Sequence, residues 1–244
     1  MPANYDFRAQ RLHVPQDLAA GAQIVLPAEQ AHYVLHVIRL PVEGAVLLFN
    51  GRDGEWRAVR QAGGKREARF MVEERVRPQP PAPTREYAFS PLKHARLDYM
   101  VQKAVEMGAG VLTPVLTRYT QVSRINLERM AANAVEAAEQ CGLLALPVIN
   151  APRPLQSWFA ELPADHNLVF CDEGAEEADP IAALRGAPAG PVSVLIGPEG
   201  GFSSEERTML SRRAITLSLG PRILRADTAA VAALALVEAA GCQR

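Results

Sequence analysis

A run of prolines near residue 80 divides this chain of 244 residues. Four prolines stand within seven residues in Arg77-Pro78-Gln79-Pro80-Pro81-Ala82-Pro83. Proline fixes φ and lacks a backbone N–H, so such a run can continue neither a helix nor a central strand. We therefore predict a stiff, extended linker over 78–83, between a first domain over 1–77 and a second domain over 84–244.

The first domain consists mainly of short segments typical of β-strands. The apolar segment 45–49 runs into Asn50-Gly51, a dipeptide that favours a hairpin turn. Further strands are predicted within 55–61 and 68–76, and a short helix over 28–39. We predict that this part of the chain forms a small, barrel-like β domain.

Strands alternate with helices in the second domain. Helices are predicted over 95–107, 126–141 and 228–240, each carrying an apolar stripe or a terminal glycine. Apolar segments typical of strands lie before and between them, at 87–89, 111–116, 168–170, 192–196 and 215–219. This alternation predicts an α/β domain with a mostly parallel sheet.

Two glycine-containing loops follow the last two predicted strands. The first is Leu195-Ile196-Gly197-Pro198-Glu199-Gly200-Gly201-Phe202-Ser203, and the second is Leu219-Gly220-Pro221-Arg222-Ile223-Leu224-Arg225-Ala226-Asp227-Thr228. Each is predicted to lead into a helix, one capped by Ser203 with Glu206 and the other by Asp227 or Thr228. Glycine lets backbone approach a ligand, and helix starts offer unpaired N–H groups. Two such loops close together favour a single ligand site over two purely structural turns.

Neither loop carries a common phosphate-binding motif. The chain has no G-x-x-x-x-G-K-[ST] sequence, which leaves a P-loop nucleotidase unsupported. It also has no G-x-G-x-x-G sequence after a strand, which removes the usual dinucleotide-binding and common Rossmann methyltransferase interpretations.

A basic cluster surrounds one turn of the first domain, although the net charge of −1 identifies no partner. Its members are Arg57, Arg60, Lys65, Arg66 and Arg69. Trp56 adjoins the cluster, and along the sequence only Glu67 opposes it. A basic hairpin with an aromatic residue can bind an RNA backbone and stack a base, and a solvated hairpin face explains the pattern equally well.

Features that would indicate another compartment or a metal are missing from the sequence. Three cysteines stand singly: Cys141, Cys171 and Cys242. They suggest a reduced cytoplasm and neither a disulfide framework nor zinc spacing. The N-terminus does not resemble a signal peptide and no apolar run could span a membrane, so we expect a cytoplasmic protein. His32 and His36 lie near Glu29 but lack a third ligand, and we expect no metal.

The two loops together closely resemble those of the 16S rRNA uridine N3-methyltransferases of the SPOUT superfamily (RsmE type). Other segments agree in order: His32 to Gly44, Gln102-Lys103-Ala104-Val105-Glu106-Met107-Gly108 with Thr113-Pro114, and Glu139-Gln140-Cys141-Gly142 with Pro147. The resemblance covers nearly the full length of the chain. Two positions depart from the family pattern, Asp227 in place of a glutamate and Leu143 in place of an arginine.

The resemblance implies both a fold and an activity. The first domain would be a PUA-like barrel that helps to bind RNA, and the second an α/β domain tied in a trefoil knot. The protein would be a homodimer that uses S-adenosylmethionine (SAM) to methylate N3 of a uridine in the decoding region of 16S rRNA, free or in the small ribosomal subunit. Two alternatives stay open: a SPOUT methyltransferase with another RNA target, and a non-catalytic RNA-binding or ribosome-assembly module.

The chemistry of the implied reaction suggests, as a hypothesis, roles for individual loop residues. Arg225 would stabilise negative charge on the uracil carbonyls or orient a phosphate, and Glu199 or Asp227 would accept the N3 proton. A cap for Asp227 and a turn-fixing role for Glu199 are the structural alternatives. The cofactor would contact nine residues: Leu195, Ile196, Gly197, Gly200, Leu219, Gly220, Ile223, Leu224 and Thr228.

Overall fold

The computed structural model of the chain describes residues 9–64, 66–122, 124–172, 174–175 and 179–241. These residues form two compact units. The first unit comprises the described residues up to Ala82 together with Ala138–Leu146. The second comprises Pro83–Ala137 and the described residues from Pro147 onward.

The first unit is built on a five-stranded sheet with the order β1-β3-β4-β5-β2. Its strands are β1 (Arg11–His13), β2 (Gln23–Val25), β3 (Ala45–Phe49), β4 (Glu55–Arg60) and β5 (Arg69–Arg77). The β1–β3 pair is parallel, and the other pairs are antiparallel. Apolar side chains of these strands pack with Val14 and Val34 into one buried core.

The helix predicted over 28–39 is wrong in its extent. Helix α1 covers only Ala28–His32, and the chain continues as a π-helical turn over Tyr33–Val37. The backbone N–H of Ile38 donates to Tyr33 O, five residues back, at 3.0 Å. Arg39 then adopts a positive φ of 51°, which ends the helical path before Pro41.

The second unit contains a seven-stranded sheet in which every described pair of strands is parallel. Its strands are β6 (Glu86–Phe89), β7 (Val111–Leu116), β8 (Val148–Ile149), β9 (Arg153–Pro154), β10 (Asn167–Cys171), β11 (Val192–Ile196) and β12 (Ile215–Leu217). The order is β12-β10-β11-β6-β7-β8, and β9 also pairs with β7. The predicted α/β class with a parallel sheet is confirmed.

Helices accompany the sheet of the second unit. They are α2 (His94–Glu106), α3 (Leu127–Cys141), α4 (Leu155–Glu161), α5 (Pro180–Arg185), α6 (Ser204–Leu210) and α7 (Ala226–Ala240). The residues of α3 from Ala138 onward belong to the first unit. Strands β6 and β11 are buried along their whole length, as central strands of a covered parallel sheet should be. Within the part of the chain that the structure describes, no helix is long and apolar enough to cross a membrane.

A buried carboxylate ties the central strands together. Glu86 is 7% exposed, and its Oε1 accepts hydrogen bonds from Thr113 Oγ1 at 2.6 Å and Trp158 Nε1 at 3.0 Å. Its Oε2 accepts from Ser193 Oγ at 2.7 Å. Asn150 Nδ2 donates in turn to Thr113 Oγ1 at 2.9 Å. These bonds join β7, β6 and β11 side by side, and a slip of one residue in either pairing would leave the carboxylate without its donors.

We predict that Glu86→Ala lowers the free energy of unfolding of the second unit by about 3 kcal/mol, because three buried donors lose their acceptor. The measurement is urea unfolding followed by Trp158 fluorescence in a Trp56→Phe background, since the chain has two tryptophans. Glu136→Gln, at an exposed position on α3, is the matched control and should change stability by less than about 0.5 kcal/mol. Equal effects of the two substitutions would contradict the role of Glu86.

Candidate active site

Strand order brings the two glycine loops to the same edge of the sheet. Strands β11 and β12 lie on either side of β10 and run parallel to it. Their carboxyl ends therefore point the same way, and ligands of open α/β sheets bind outside such ends. The loop over 197–203 follows β11, the loop over 218–225 follows β12, and Cys171 and Asp172 end β10 between them.

A cavity lies between these loops and the end of β10. Six of the predicted site residues contribute to its lining together with Glu199: Ile196, Gly197, Leu219, Gly220, Ile223 and Leu224. Further lining residues lie within the two predicted loops but were given no role of their own, among them Pro198, Phe202, Arg222 and Ala226. Sequence reasoning missed the lining residues outside the loops, Cys171, Asp172, Arg207 and Ala229. Cys171 and Asp172 could have been predicted from their position at the carboxyl end of a third strand. That prediction requires the strand order, which places β10 between β11 and β12.

The remaining predicted residues of the two loops, all described by the structure, lie outside the cavity lining. Leu195 is fully buried in the core cluster that contains Phe170 and Phe202. Gly200 packs against the ring of Tyr119, since a Cβ built on it would lie 3.2 Å from Tyr119 Cβ. The other three, Arg225, Asp227 and Thr228, stand at the start of α7.

The first loop is shaped by glycine and a buried ring. A Cβ on Gly197 would lie 2.4 Å from Cε2 of Phe202, so only glycine allows that ring to pack over the loop. The Phe202 ring meets Phe170 edge to face, with centroids 4.9 Å apart. Gly201 has a positive φ of 67°, which favours glycine at the turn.

The predicted capping box at the start of α6 is confirmed. Glu206 N donates to Ser203 Oγ at 3.2 Å, and Ser203 N donates back to Glu206 Oε2 at 2.8 Å. Glu206 Oε1 accepts a further bond from the backbone N–H of Arg118 at 2.8 Å. The buried Glu206 carboxylate therefore joins the first loop to the segment that follows β7.

The predicted cap of the last helix is wrong. Helix α7 begins at Ala226, and Arg225 occupies the N-cap position without a side-chain cap bond. The carboxylate of Asp227 already lies inside the first turn, where its Oδ1 accepts from Thr228 N at 2.9 Å. Its charge still stabilises the positive end of the helix dipole.

Ion pairs surround the cavity. Arg207 pairs with Asp172 and also donates from Nε to Phe202 O at 3.2 Å, which links α6 to the end of β10. Glu199 Oε1 lies 3.1 Å from Arg96 Nη1, in an exposed pair that adds little stability. The Arg225 side chain is exposed and within one residue of the cavity-lining Leu224. Charged groups of both signs are therefore available at the rim.

Cys171 contributes a thiol to the cavity but no nucleophile. Burial raises the pKa of this thiol to about 12, so it stays protonated at neutral pH. Tyr87, fully buried on β6, has a hydroxyl without a hydrogen-bond partner among the described residues. Burial raises the pKa of Tyr87 well above its usual value, and electrostatic interactions with Cys171 and Asp227 add to that effect.

The basic cluster of the first unit is largely engaged by the protein itself. Arg57 pairs with Glu73, and Arg69 Nη2 lies 2.9 Å from Glu67 Oε2. Arg60 donates to the backbone carbonyl of Leu40. Arg66 is exposed, and Lys65 lies outside the described residues. The expectation that only Glu67 opposes the cluster is wrong, because the β4–β5 pairing brings Glu73 beside Arg57.

The histidine pair forms no metal site within the described residues. The rings of His32 and His36 lie 4.9 Å apart. Among the residues that the structure describes, no group of three or more histidine, cysteine, aspartate and glutamate side chains is placed to hold an ion.

We predict that Gly197→Ala lowers the free energy of unfolding of the second unit by about 1–3 kcal/mol, because its methyl group would displace the Phe202 ring. Trp158 belongs to the same core cluster as Phe202, so its fluorescence reports the loss in urea, again with Trp56 replaced. Gly64→Ala is the control, since a Cβ there meets nothing within 4 Å. An unchanged urea concentration at the unfolding midpoint of Gly197→Ala would contradict this prediction and show that the loop accommodates a side chain.

Comparison with known proteins identifies the family. Residues 80–238 match the model of the RNA methyltransferase domain. The chain is 30% identical to ribosomal RNA small subunit methyltransferase E of Rickettsia conorii over 95% of this chain and 96% of that protein. A protein of Legionella pneumophila described as a methyltransferase, solved with its bound cofactor SAM, superposes with a TM-score of 0.82 and 28% identity over 96% of this chain and 98% of the other.

A second solved structure supports the fold over the same extent. Ribosomal RNA small subunit methyltransferase E of Neisseria gonorrhoeae, bound to SAM, has a TM-score of 0.84 and 23% identity over 95% of this chain and 98% of that chain. The family match, the identity over nearly the full length and the paired loops at the sheet edge agree. The chain belongs to the RNA methyltransferase family that includes the ribosomal RNA small subunit methyltransferase E proteins.

Proposed function

We propose that this protein transfers the methyl group of SAM to N3 of a uridine in the decoding region of 16S rRNA, free or within the small ribosomal subunit. The observation that carries the proposal is the cavity bounded by the loops after β11 and β12. Membership of a family of rRNA methyltransferases supports the reaction class. The choice of uridine and of N3 follows from the resemblance of the loop sequences. Because the proposed substrate is ribosomal RNA, we also propose a cytoplasmic location for the protein.

The residues around the cavity fit the proposed cofactor. Ile196, Leu219 and Leu224 provide apolar walls of the kind that adenine and the methionine chain pack against. Gly220 has a positive φ of 97°, and a Cβ there would meet nothing within 4 Å, so its backbone is open to a ligand. We assign all nine residues of the predicted cofactor-binding set to the SAM site. Six of them line the cavity, and Leu195, Gly200 and Thr228 would support the loops from outside it.

Methylation of N3 requires the loss of a proton that is mostly in place near neutral pH. The bound cofactor supplies an electrophilic methyl group on a sulfonium. Glu199 lines the cavity and is our first candidate to accept the N3 proton, with Asp227 as the second. Arg225, exposed beside the cavity, would stabilise the negative charge that spreads onto the uracil carbonyl oxygens.

The finer architecture is part of the proposal. The family resemblance supports a trefoil knot within 84–244 and a PUA-like, RNA-binding domain over 1–77, separated by the linker 78–83. In that domain Arg66 is exposed, and Arg57, Arg60 and Arg69 would exchange their present partners in order to pair with RNA. Lys65, which lies outside the described residues, belongs to the same proposed RNA-binding set.

A second copy of the chain is the proposed partner of an apolar surface on the second unit. Ile223, next to the cavity, is 88% exposed, which is unusual for so large an apolar side chain. A cleft beside it is lined by apolar residues of α7 and of the loop after β12, including Leu219, Ala232 and Leu236. Homodimerisation would bury this surface at the edge of the site.

The direct test uses 16S rRNA and small ribosomal subunits prepared from a strain that lacks this modification. Incubated with the protein and SAM, they should gain one methyl group, which nuclease digestion and mass spectrometry place on N3 of a uridine. A methyl group on another atom or another RNA would favour a different SPOUT methyltransferase. Absence of transfer, together with no heat of SAM binding, would favour a non-catalytic RNA-binding or assembly module.

We predict that Arg225→Ala lowers kcat by about 100-fold or more while the Kd for SAM changes less than about threefold, because its role arises in the transition state. Arg212→Ala, at an exposed position after α6, is the matched control and should retain full kcat. Full transfer by Arg225→Ala would remove the assignment.

The identity of the base is tested by pH. Glu199→Gln should abolish the rise of kcat with pH that deprotonation of a catalytic base produces, whereas Asp227→Asn should keep the wild-type profile. The opposite pattern would move the role to Asp227. Unchanged profiles for both variants would remove both candidates.

A further inference from the structure

An exposed aromatic ring stands against the outer side of the first glycine loop. Tyr119, between β7 and α3, is 47% exposed. A Cβ built on Gly200 would lie 3.2 Å from Tyr119 Cβ and 3.6 Å from Cγ, so the ring base rests on this glycine. Glu199 and Gly201, on either side of Gly200, both line the cavity. The ring is therefore one residue away from the proposed methyl-donor site.

The segment that carries Tyr119 is held rigidly. Thr120 N donates to Thr117 O at 3.2 Å, which closes a turn with Tyr119 near its tip. Thr120 Oγ1 accepts from Thr117 N at 2.8 Å, and the two threonine hydroxyls lie 3.0 Å apart. Arg118 N is bound to the buried Glu206, as described above. A backbone fixed in this way loses little conformational entropy when a ligand binds to the side chain that it carries.

The surroundings of the ring suit a polyanion. Residues 117–126 include Arg118 and Arg124 and no acidic residue. Both arginines are exposed. Two acidic residues line a neighbouring cleft with Arg118. Glu205 is exposed, whereas Glu206 is buried and accepts hydrogen bonds from backbone N–H groups. An exposed ring beside arginines is the combination with which proteins bind single-stranded nucleic acid, since every base offers a π-face.

We propose that the Tyr119 ring stacks on a nucleobase of the RNA substrate next to the reacting uridine, with Arg118 pairing a neighbouring phosphate. This inference rests on the proposed function and adds a substrate-positioning site to it. Stacking there would hold an unpaired nucleotide of the target at the rim of the cavity. Tyr119 does not belong to the cavity lining, so the role we assign to its ring is to position RNA.

The test compares Tyr119→Ala, Tyr119→Phe and Tyr99→Ala. Tyr99 lies on α2, has the same exposed fraction of 47% and carries Lys103 over its ring, so it is a matched control. Binding of a fluorescently labelled single-stranded RNA containing the target uridine is measured by anisotropy with S-adenosylhomocysteine present, which requires no catalysis. The Kd for SAM is measured by calorimetry.

We expect Tyr119→Ala to raise the RNA Kd by about tenfold, with Tyr119→Phe and Tyr99→Ala within about twofold of the wild type and an unchanged Kd for SAM. Arg118→Ala should reduce the slope of log K against log salt by about one, whereas Tyr119→Ala should leave it unchanged. If wild type binds RNA and Tyr119→Ala binds equally well, the inference fails while the proposed function stands. Failure of wild type to bind RNA would instead count against the proposed function.

Two further outcomes would also overturn the inference. A loss of SAM affinity in Tyr119→Ala would mean that the ring only supports the Gly200 loop. An unchanged Kd for naked RNA, combined with a higher KM for assembled small subunits, would assign Tyr119 to a protein contact.

Discussion

The buried Glu86 carboxylate is the interaction on which the geometry of the second unit depends. A charged group in a protein interior is tolerated only when its oxygens are satisfied, and here hydroxyls of β7 and β11 and the indole of α4 satisfy them. The network therefore fixes β11 against β6 in one register. The loop that bounds the cavity leaves β11 three residues after Ser193, so its starting point is fixed with the strand.

The site itself is a consequence of strand order. Because β10 lies between β11 and β12, two loops that are about twenty residues apart in sequence meet around the end of a third strand. Glycine at 197 admits the Phe202 ring, and glycine at 220 leaves backbone open toward the cavity. The strand ends thus carry loops whose shape depends on glycine, which has no side chain, at 197 and 220. The charged groups lie at the rim of the cavity.

Local patterns predicted much of this fold. The strands 111–116 and 192–196 lie where their apolar runs placed them, and the Ser203–Glu206 capping box formed as its spacing indicated. The order of the strands cannot be inferred from local sequence patterns. Asp172 and Arg207 were therefore not predicted as residues of the site. The same limit hid the Arg57–Glu73 pair, since strand pairing and not chain proximity brings these residues together. The family resemblance, rather than periodicity, supplied the cofactor and the substrate.

We propose that the cavity between the loops after β11 and β12 holds the methyl donor. A crystal structure of the protein with SAM tests it most directly. We expect ligand density between Gly197 and Gly220, in contact with the apolar walls formed by Ile196, Leu219 and Leu224. Density for SAM at another place, with this cavity filled by solvent, would contradict it.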